Sequence, residues 1–249
     1  MARTGPSGWK RLEREIVSCR LCPRLVEHRE TVAREKRRAY REDTYWGRPV
    51  PSFGAQDSRL WIVGLAPGGH GANRTGRVFT GDASGDFLFP MLHRFGFASS
   101  PHATSKDDGL ELLDACITNI VRCVPPGNRP TADEIGTCRS FFDRERALLR
   151  SMRVVLALGG LAWTEIVRAL RSEDPSVEPC PRFGHGVEWR VDGLVVLGSY
   201  HPSQQNTRTG RLTPAMFAGV LRRARGILDV EDLEDAGPPR VRKISRRTP

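Results

Sequence analysis

The run RLWIVGL, residues 59–65, followed at once by APGG, residues 66–69, decides the fold. Its apolar core is unbroken rather than alternating, and it is too short for a buried helix. It predicts a strand covered on both faces. Three more runs of the same kind follow: ACITNIV (115–121), RVVLAL (153–158) and LVVLGS (194–199). Helical stretches separate them. Residues 87–95 carry one that Pro90 should kink or restart. Thr131-Ala-Asp-Glu134 is a capping box, opening a helix to about residue 151. Residues 161–170 form the next. Thr213-Pro214, an N-cap with proline in the first turn, opens the last, to about residue 228. Strands alternating with helices predict an α/β domain with a parallel sheet covered on both faces. Residues 187–191 suit an edge strand.

Outward from this core the pattern thins. Residues 7–19 read as a short amphipathic helix, with Trp9, Leu12, Ile16 and Val17 near helical spacing. Residues 31–48 are charged and rich in arginine, fitting either an exposed helix or an ordered basic loop. Residues 1–230 are expected to form one domain. Residues 231–249 are acidic, then proline-rich, then basic, a composition that predicts disorder.

The net charge is +10, carried by 35 arginines and only 4 lysines. From residue 229 onward five acids balance five bases, so the excess sits on the body. A basic body suits a polyanionic partner, although an arginine-rich solvated surface would give the same total. No apolar run nears the ~18 residues of a membrane helix, and residues 1–15 lack an apolar signal core. A cytoplasmic, nucleoid-associated protein, monomeric and without a membrane partner, is the expectation. Six cysteines in such a chain point to metal or cluster ligation before disulfides.

Ligands of parallel sheets bind beyond the carboxyl ends of the strands, and two unusual segments fall there. Residues 64–82, GLAPGGHGANRTGRVFTGD, hold six glycines, which let backbone approach a ligand closely. No Gly-Lys-Ser/Thr ends the segment and no helix follows at dinucleotide-fingerprint distance, so neither nucleotide motif applies. Residues 200–207, YHPSQQNT, place His201, Pro202 and Ser203 directly after a buried strand.

Together with TNIVRCVPP, residues 118–126, these segments resemble the three motifs of the uracil-DNA glycosylase superfamily, in the same order. The nearest pattern is its iron–sulfur group of family-five type, and the resemblance spans roughly residues 19–228. It implies a three-layer α/β/α sandwich with a central four-stranded parallel sheet. It also implies excision of uracil, hypoxanthine, xanthine and some modified pyrimidines from DNA. Double-stranded DNA containing deaminated bases is the expected partner, with single-stranded DNA as a second form. Cys19, Cys22, Cys123 and Cys138 match the four ligand positions of a four-iron, four-sulfur (4Fe-4S) cluster. Zinc on the same four thiols is the alternative. Cys116, in an apolar strand, and Cys180, in a loop, read as buried or free thiols.

The resemblance assigns roles residue by residue. His201 donates to the base oxygen as charge develops, Asn119 reads the Watson–Crick edge, and Phe79 stacks on the flipped ring. The backbone N–H groups of residues 64–69, those of Gly64, Ala66 and Gly68 among them, add donors, Pro67 belongs to the same base-binding loop, and Asn206 steadies the loop or the water. The better-known uracil-specific groups carry an acidic or amide residue just after the first glycine of motif one, where this chain has Leu65 and Ala66. Asp82 is therefore implied as the carboxylate that orients water and stabilises the sugar cation; a turn carboxylate facing Ser84 and Gly85 is the plainer reading. Arg74, Arg77, Ser203, Gln205, Arg208 and Arg211 are expected to contact DNA, with Gln205, Arg208 or Leu212 as the wedge that fills the gap left by the base. A cluster-bearing DNA-binding module without chemistry and a uracil-restricted glycosylase stay open as alternatives.

Overall fold

The computed structural model describes residues 8–173 and 179–235. The strands are β1 (Phe53–Gly54), β2 (Leu60–Gly64), β3 (Ala115–Asn119), β4 (Val154–Leu158), β5 (Glu188–Val191) and β6 (Leu194–Ser199). The helices are α1 (Gly8–Ser18), α2 (Pro23–Glu35), α3 (Ala72–Thr75), α4 (Ala83–Arg94), α5 (Ala132–Leu148), α6 (Gly160–Glu173), α7 (Gln204–Arg208) and α8 (Pro214–Asp235). All six strands join one sheet in the order β1-β3-β2-β4-β6-β5.

The four long apolar runs are the four central strands, all parallel. Both edges are antiparallel: β5, the expected edge strand, and β1, a two-residue pairing too short to leave a sequence signal. Neighbouring side chains along a strand point to opposite faces. Leu60, Ile62, Leu156 and Leu197 pack with Leu88, Phe89, Phe217 and Leu221 of α4 and α8. Trp61, Val63, Val155 and Val196 pack with Phe142 of α5 and Trp163 and Ile166 of α6. Trp61 stacks on Phe142 with ring centroids 4.6 Å apart.

Helix ends follow local chemistry. The Thr131–Glu134 capping box is present, and Thr213 caps α8 through Met216 N–H at 3.2 Å. Three expectations change. Helix α4 continues through Pro90, held by the buried Leu88, Phe89, Met91 and Leu92. Helix α8 extends to Asp235, past the boundary set at residue 230; residues 236–249, where disorder was expected, lie outside the described residues. Within residues 31–48 the first part belongs to α2 and the rest is an ordered strap. Among the described residues no helix is long and apolar enough to cross a membrane.

From β2 the chain moves to β3 on one side and then returns to β4 on the other. The crevice at this reversal is where α/β sheets bind ligands. Strands β2 and β3 end level, Gly64 beside Asn119, and β4 and β6 end with Leu158 beside Ser199.

Candidate active site

A cavity of about 610 Å³ opens at this crevice. The loop after β2 lines it with Leu65, Ala66, Pro67 and Gly68, the end of β3 with Asn119, and the loop after β6 with His201, Ser203 and Gln205. Phe79 and Asp82 add to the wall, so three distant segments of chain converge.

Asp82 has two tasks that share one side chain. It is the N-cap of α4, where Oδ1 accepts from Ser84 N at 3.0 Å and Gly85 N at 3.1 Å. Oδ2 makes no hydrogen bond among the described residues and faces the glycine loop. A Cβ on Gly71 would fall 1.9 Å from Oδ2, and one on Gly68 2.8 Å away. Both glycines are needed for the carboxylate to reach the cavity. Burial raises the Asp82 carboxyl above its ordinary value, opposed by the backbone hydrogen bonds from Gly85 and Ser84.

His201 faces Phe79, with ring centroids 5.7 Å apart. Asn206 Nδ2 donates to the His201 carbonyl at 2.8 Å, fixing the loop. The His201 ring nitrogens make no hydrogen bond among the described residues, and burial lowers the ring to about 4. At neutral pH it is therefore an uncharged donor. Asn119 is 2% exposed, and its Oδ1 is buried without a hydrogen-bond partner among the described residues. Phe79 adopts φ +52°, an uncommon conformation for a bulky residue. Two glycines make room for it: a Cβ on Gly64 would meet its ring at 2.8 Å, and one on Gly85 would meet its carbonyl at 1.9 Å.

The charge states fix a pH dependence. An ionised Asp82 is required if it is to orient water, and its raised pKa places the acid limb of activity above the ordinary 3.8. His201 is neutral above about 4 and adds no second limb there. Stability falls in the same direction through His201, but over its own pH window. His201 binds its proton more readily unfolded than folded, so its contribution falls as pH drops from 6.5 towards 4. A rate–pH profile compared with a melting–pH profile separates the two effects.

The structure corrects part of the expected DNA surface. Arg77 is 4% exposed and paired with Asp108 at 2.7 Å, its guanidinium over Phe53. It braces the fold and cannot reach DNA. Arg74 is largely enclosed as well: it pairs with Asp43 at 2.7 Å, stacks on Tyr40 and donates to the carbonyls of His70 and Gly81. Leu212 is 1% exposed within the core, which removes it as a wedge. Gln205 and Arg208 are exposed on and beside the rim. Arg211 is exposed and stacks on Tyr200 at 4.7 Å. Ser203 Oγ caps α7, accepting from Asn206 N at 3.4 Å, and its O–H remains free to donate.

Sequence reasoning passed over three residues. His70 and Asn128 line the cavity. Arg29 lies in a second, small cavity lined by Cys19, Cys22, Cys123 and Cys138 together with Leu25 and Phe141. Its only signal is a spacing of seven from Cys22, two helical turns along one face. Arg29 is 2% exposed; Nη1 donates to Cys123 Sγ at 3.0 Å and to the Cys19 carbonyl at 3.2 Å, while buried Nε has no hydrogen-bond partner among the described residues. Among the described residues no three His, Cys, Asp or Glu side chains stand close enough to hold a single metal ion. Cys116 is buried in β3 and Cys180 is half-buried.

Comparison with known proteins shows the family. The profile of the Uracil DNA glycosylase superfamily matches residues 51–225. A type-5 uracil-DNA glycosylase of Mycobacterium bovis is 51% identical over 87% of this chain and 80% of its own length. The type-5 enzyme of Mycobacterium leprae is 49% identical over 92% of this chain and 100% of its own length. That of Thermus thermophilus is 48% identical over 84% and 94%. The chain belongs to the uracil DNA glycosylase superfamily.

Proposed function

We propose that this protein is a monofunctional DNA glycosylase that hydrolyses the bond joining uracil to deoxyribose and leaves an abasic site. Hypoxanthine and xanthine are its further substrates. One observation carries the reading: Asp82, Asn119 and His201 meet in a single cavity, each with a polar atom unclaimed by the protein. A flipped base slots between them. Asn119 Oδ1 accepts a base N–H, and the Phe79 ring offers a stacking surface. As the bond between C1′ and the base nitrogen breaks, electrons flow to the base, and the His201 N–H donates to its charged oxygen. A neutral donor suits this step, because its hydrogen bond strengthens only as the anion forms. Asp82 Oδ2 orients water and faces the developing sugar cation. The water oxygen bonds to C1′; one of its protons stays on the new hydroxyl and the other goes to the departing base. No lysine lines the cavity, which fits hydrolysis without a Schiff base.

The cysteine cavity supports a four-iron, four-sulfur cluster. Four thiols and a buried arginine that donates to one of their sulfurs match a group whose thiolates carry net negative charge. Cys19 and Cys22 lie at the junction of α1 and α2, Cys123 after β3 and Cys138 in α5. Together they would tie the N-terminal helices to the core, and when bound the group supplies that crosslink.

Purified protein should release uracil from duplex and single-stranded DNA without cutting the strand, and release hypoxanthine and xanthine as well. No release of any base sinks the proposal, and release of uracil alone removes the breadth. The same preparation should contain about four irons per chain with matching labile sulfide, and Arg29→Met should lose iron faster to a chelator. Zinc in place of iron would overturn the cluster assignment.

A further inference from the structure

We propose that residues 36–48 form a DNA-backbone clamp, in which Arg37, Arg38 and Arg41 take phosphates flanking the extruded nucleotide. The clamp rests on the reading of DNA as substrate. The strap is anchored on the glycine loop that walls the cavity. Trp46 N donates to the Arg74 carbonyl at 2.9 Å and Gly47 N to the Asn73 carbonyl at 3.0 Å. A Cβ on Gly76 would fall 2.9 Å from the Trp46 indole, so the two segments lie in direct contact. Asp43 pairs with Arg74. Tyr45 is buried, and its Oη lies 3.1 Å from Nδ1 of His70, a cavity-lining residue. The Arg37 N–H donates to that same Oη at 3.4 Å, placing Arg37 at the rim.

Charge joined to contact with the cavity wall distinguishes this strap from an ordinary solvated face. Some arginines of the body have carboxylate partners, among them Arg59 with Asp114, Arg77 with Asp108 and Arg122 with Glu145, whereas exposed Arg94, Arg150 and Arg222 resemble the strap arginines in charge but lie away from the cavity. Arg37, Arg38 and Arg41 are exposed, and none has a carboxylate partner among the described residues. Of the strap's two acids, Asp43 is already held by Arg74. The field of Arg37 reaches the pocket: with burial as the larger cause, it helps lower the pKa of His70. Arg208 and Gln205 stand exposed on the loop that carries His201. The cavity thus has strap arginines beside His70 and α7 polar groups beside His201. A guanidinium fork binds phosphate oxygens, and each phosphate neutralised adds about 0.9 to the salt slope of binding.

The test uses full-length protein and a labelled duplex bearing a tetrahydrofuran abasic-site analogue. Binding is followed from about 50 to about 200 mM salt. The triple variant Arg37→Gln, Arg38→Gln, Arg41→Gln should bind about 10–100-fold more weakly at low salt, with a slope shallower by about 2–3. The comparison is Arg94→Gln, Arg150→Gln, Arg222→Gln, which removes the same charge from exposed sites away from the cavity. It should keep the wild-type slope. If both triples behave alike, charge acts only globally and the clamp is wrong. If Tyr45→Phe weakens binding at the wild-type slope and the strap triple does not, the strap acts by holding His70 and the clamp is equally wrong. Base release from uracil-containing duplex by wild-type protein is measured in parallel. Its absence would strike the glycosylase reading, whereas a failed salt-slope test with release intact strikes the clamp alone.

Discussion

Replacing Asp82 with asparagine is expected to slow base release by about 10²–10⁴-fold while the protein stays folded. The substitution isolates chemistry because Asp82 is also a helix cap. Asparagine caps about as well as aspartate, so the bonds from Ser84 and Gly85 survive while the charge on Oδ2 is lost. Alanine would remove both and blur the result. Duplex binding by the asparagine variant should stay near that of the wild type. Its acid limb, set in the wild type by protonation of Asp82, should disappear. An asparagine variant with full activity would show that Asp82 is only a cap and, since no other carboxylate among the described residues lines the cavity, would overturn carboxylate assistance altogether.

His201→Asn should cost about 10²–10³ in single-turnover rate, the usual loss when one donor to a developing anion is removed. Asparagine is shorter and should not reach the base oxygen. Because His201 is neutral above about 4, this variant should keep the wild-type acid limb. The two substitutions are therefore told apart by their pH profiles as well as their rates. A His201→Asn profile lacking the acid limb would mean that His201, rather than Asp82, supplies the titrating group.

The four central strands were legible because each is buried on both faces and so appears as an unbroken apolar run. Helix α2 was not. It buries Leu25, Val26 and Arg29, a narrow stripe in which a charge occupies a position where an apolar residue is expected. The site segments were legible as strand-end loops rich in glycine and polar groups, and the resemblance supplied the role of each residue. Arg77 was misjudged because its partner, Asp108, lies 31 positions away and leaves no local mark. Leu212 suffered the same fate: nothing in a polar, threonine-rich segment announces that one leucine turns inward. Asn128 sits just past the motif-two segment, at a left-handed turn that only the backbone reveals.

Strand β4 lies between β2 and β6 yet contributes none of its own side chains to the cavity wall. Backbone ladders repeat at about 4.8 Å, so the strand leading to Asp82 and the one leading to His201 stand about 10 Å apart. The sheet is thus a fixed calliper, and no point substitution can open or close its jaws without breaking a ladder. Selection among nucleobases of different size must then be tuned by what projects between the jaws, at Leu65 and Ala66, and re-engineering of preference should begin at those two positions.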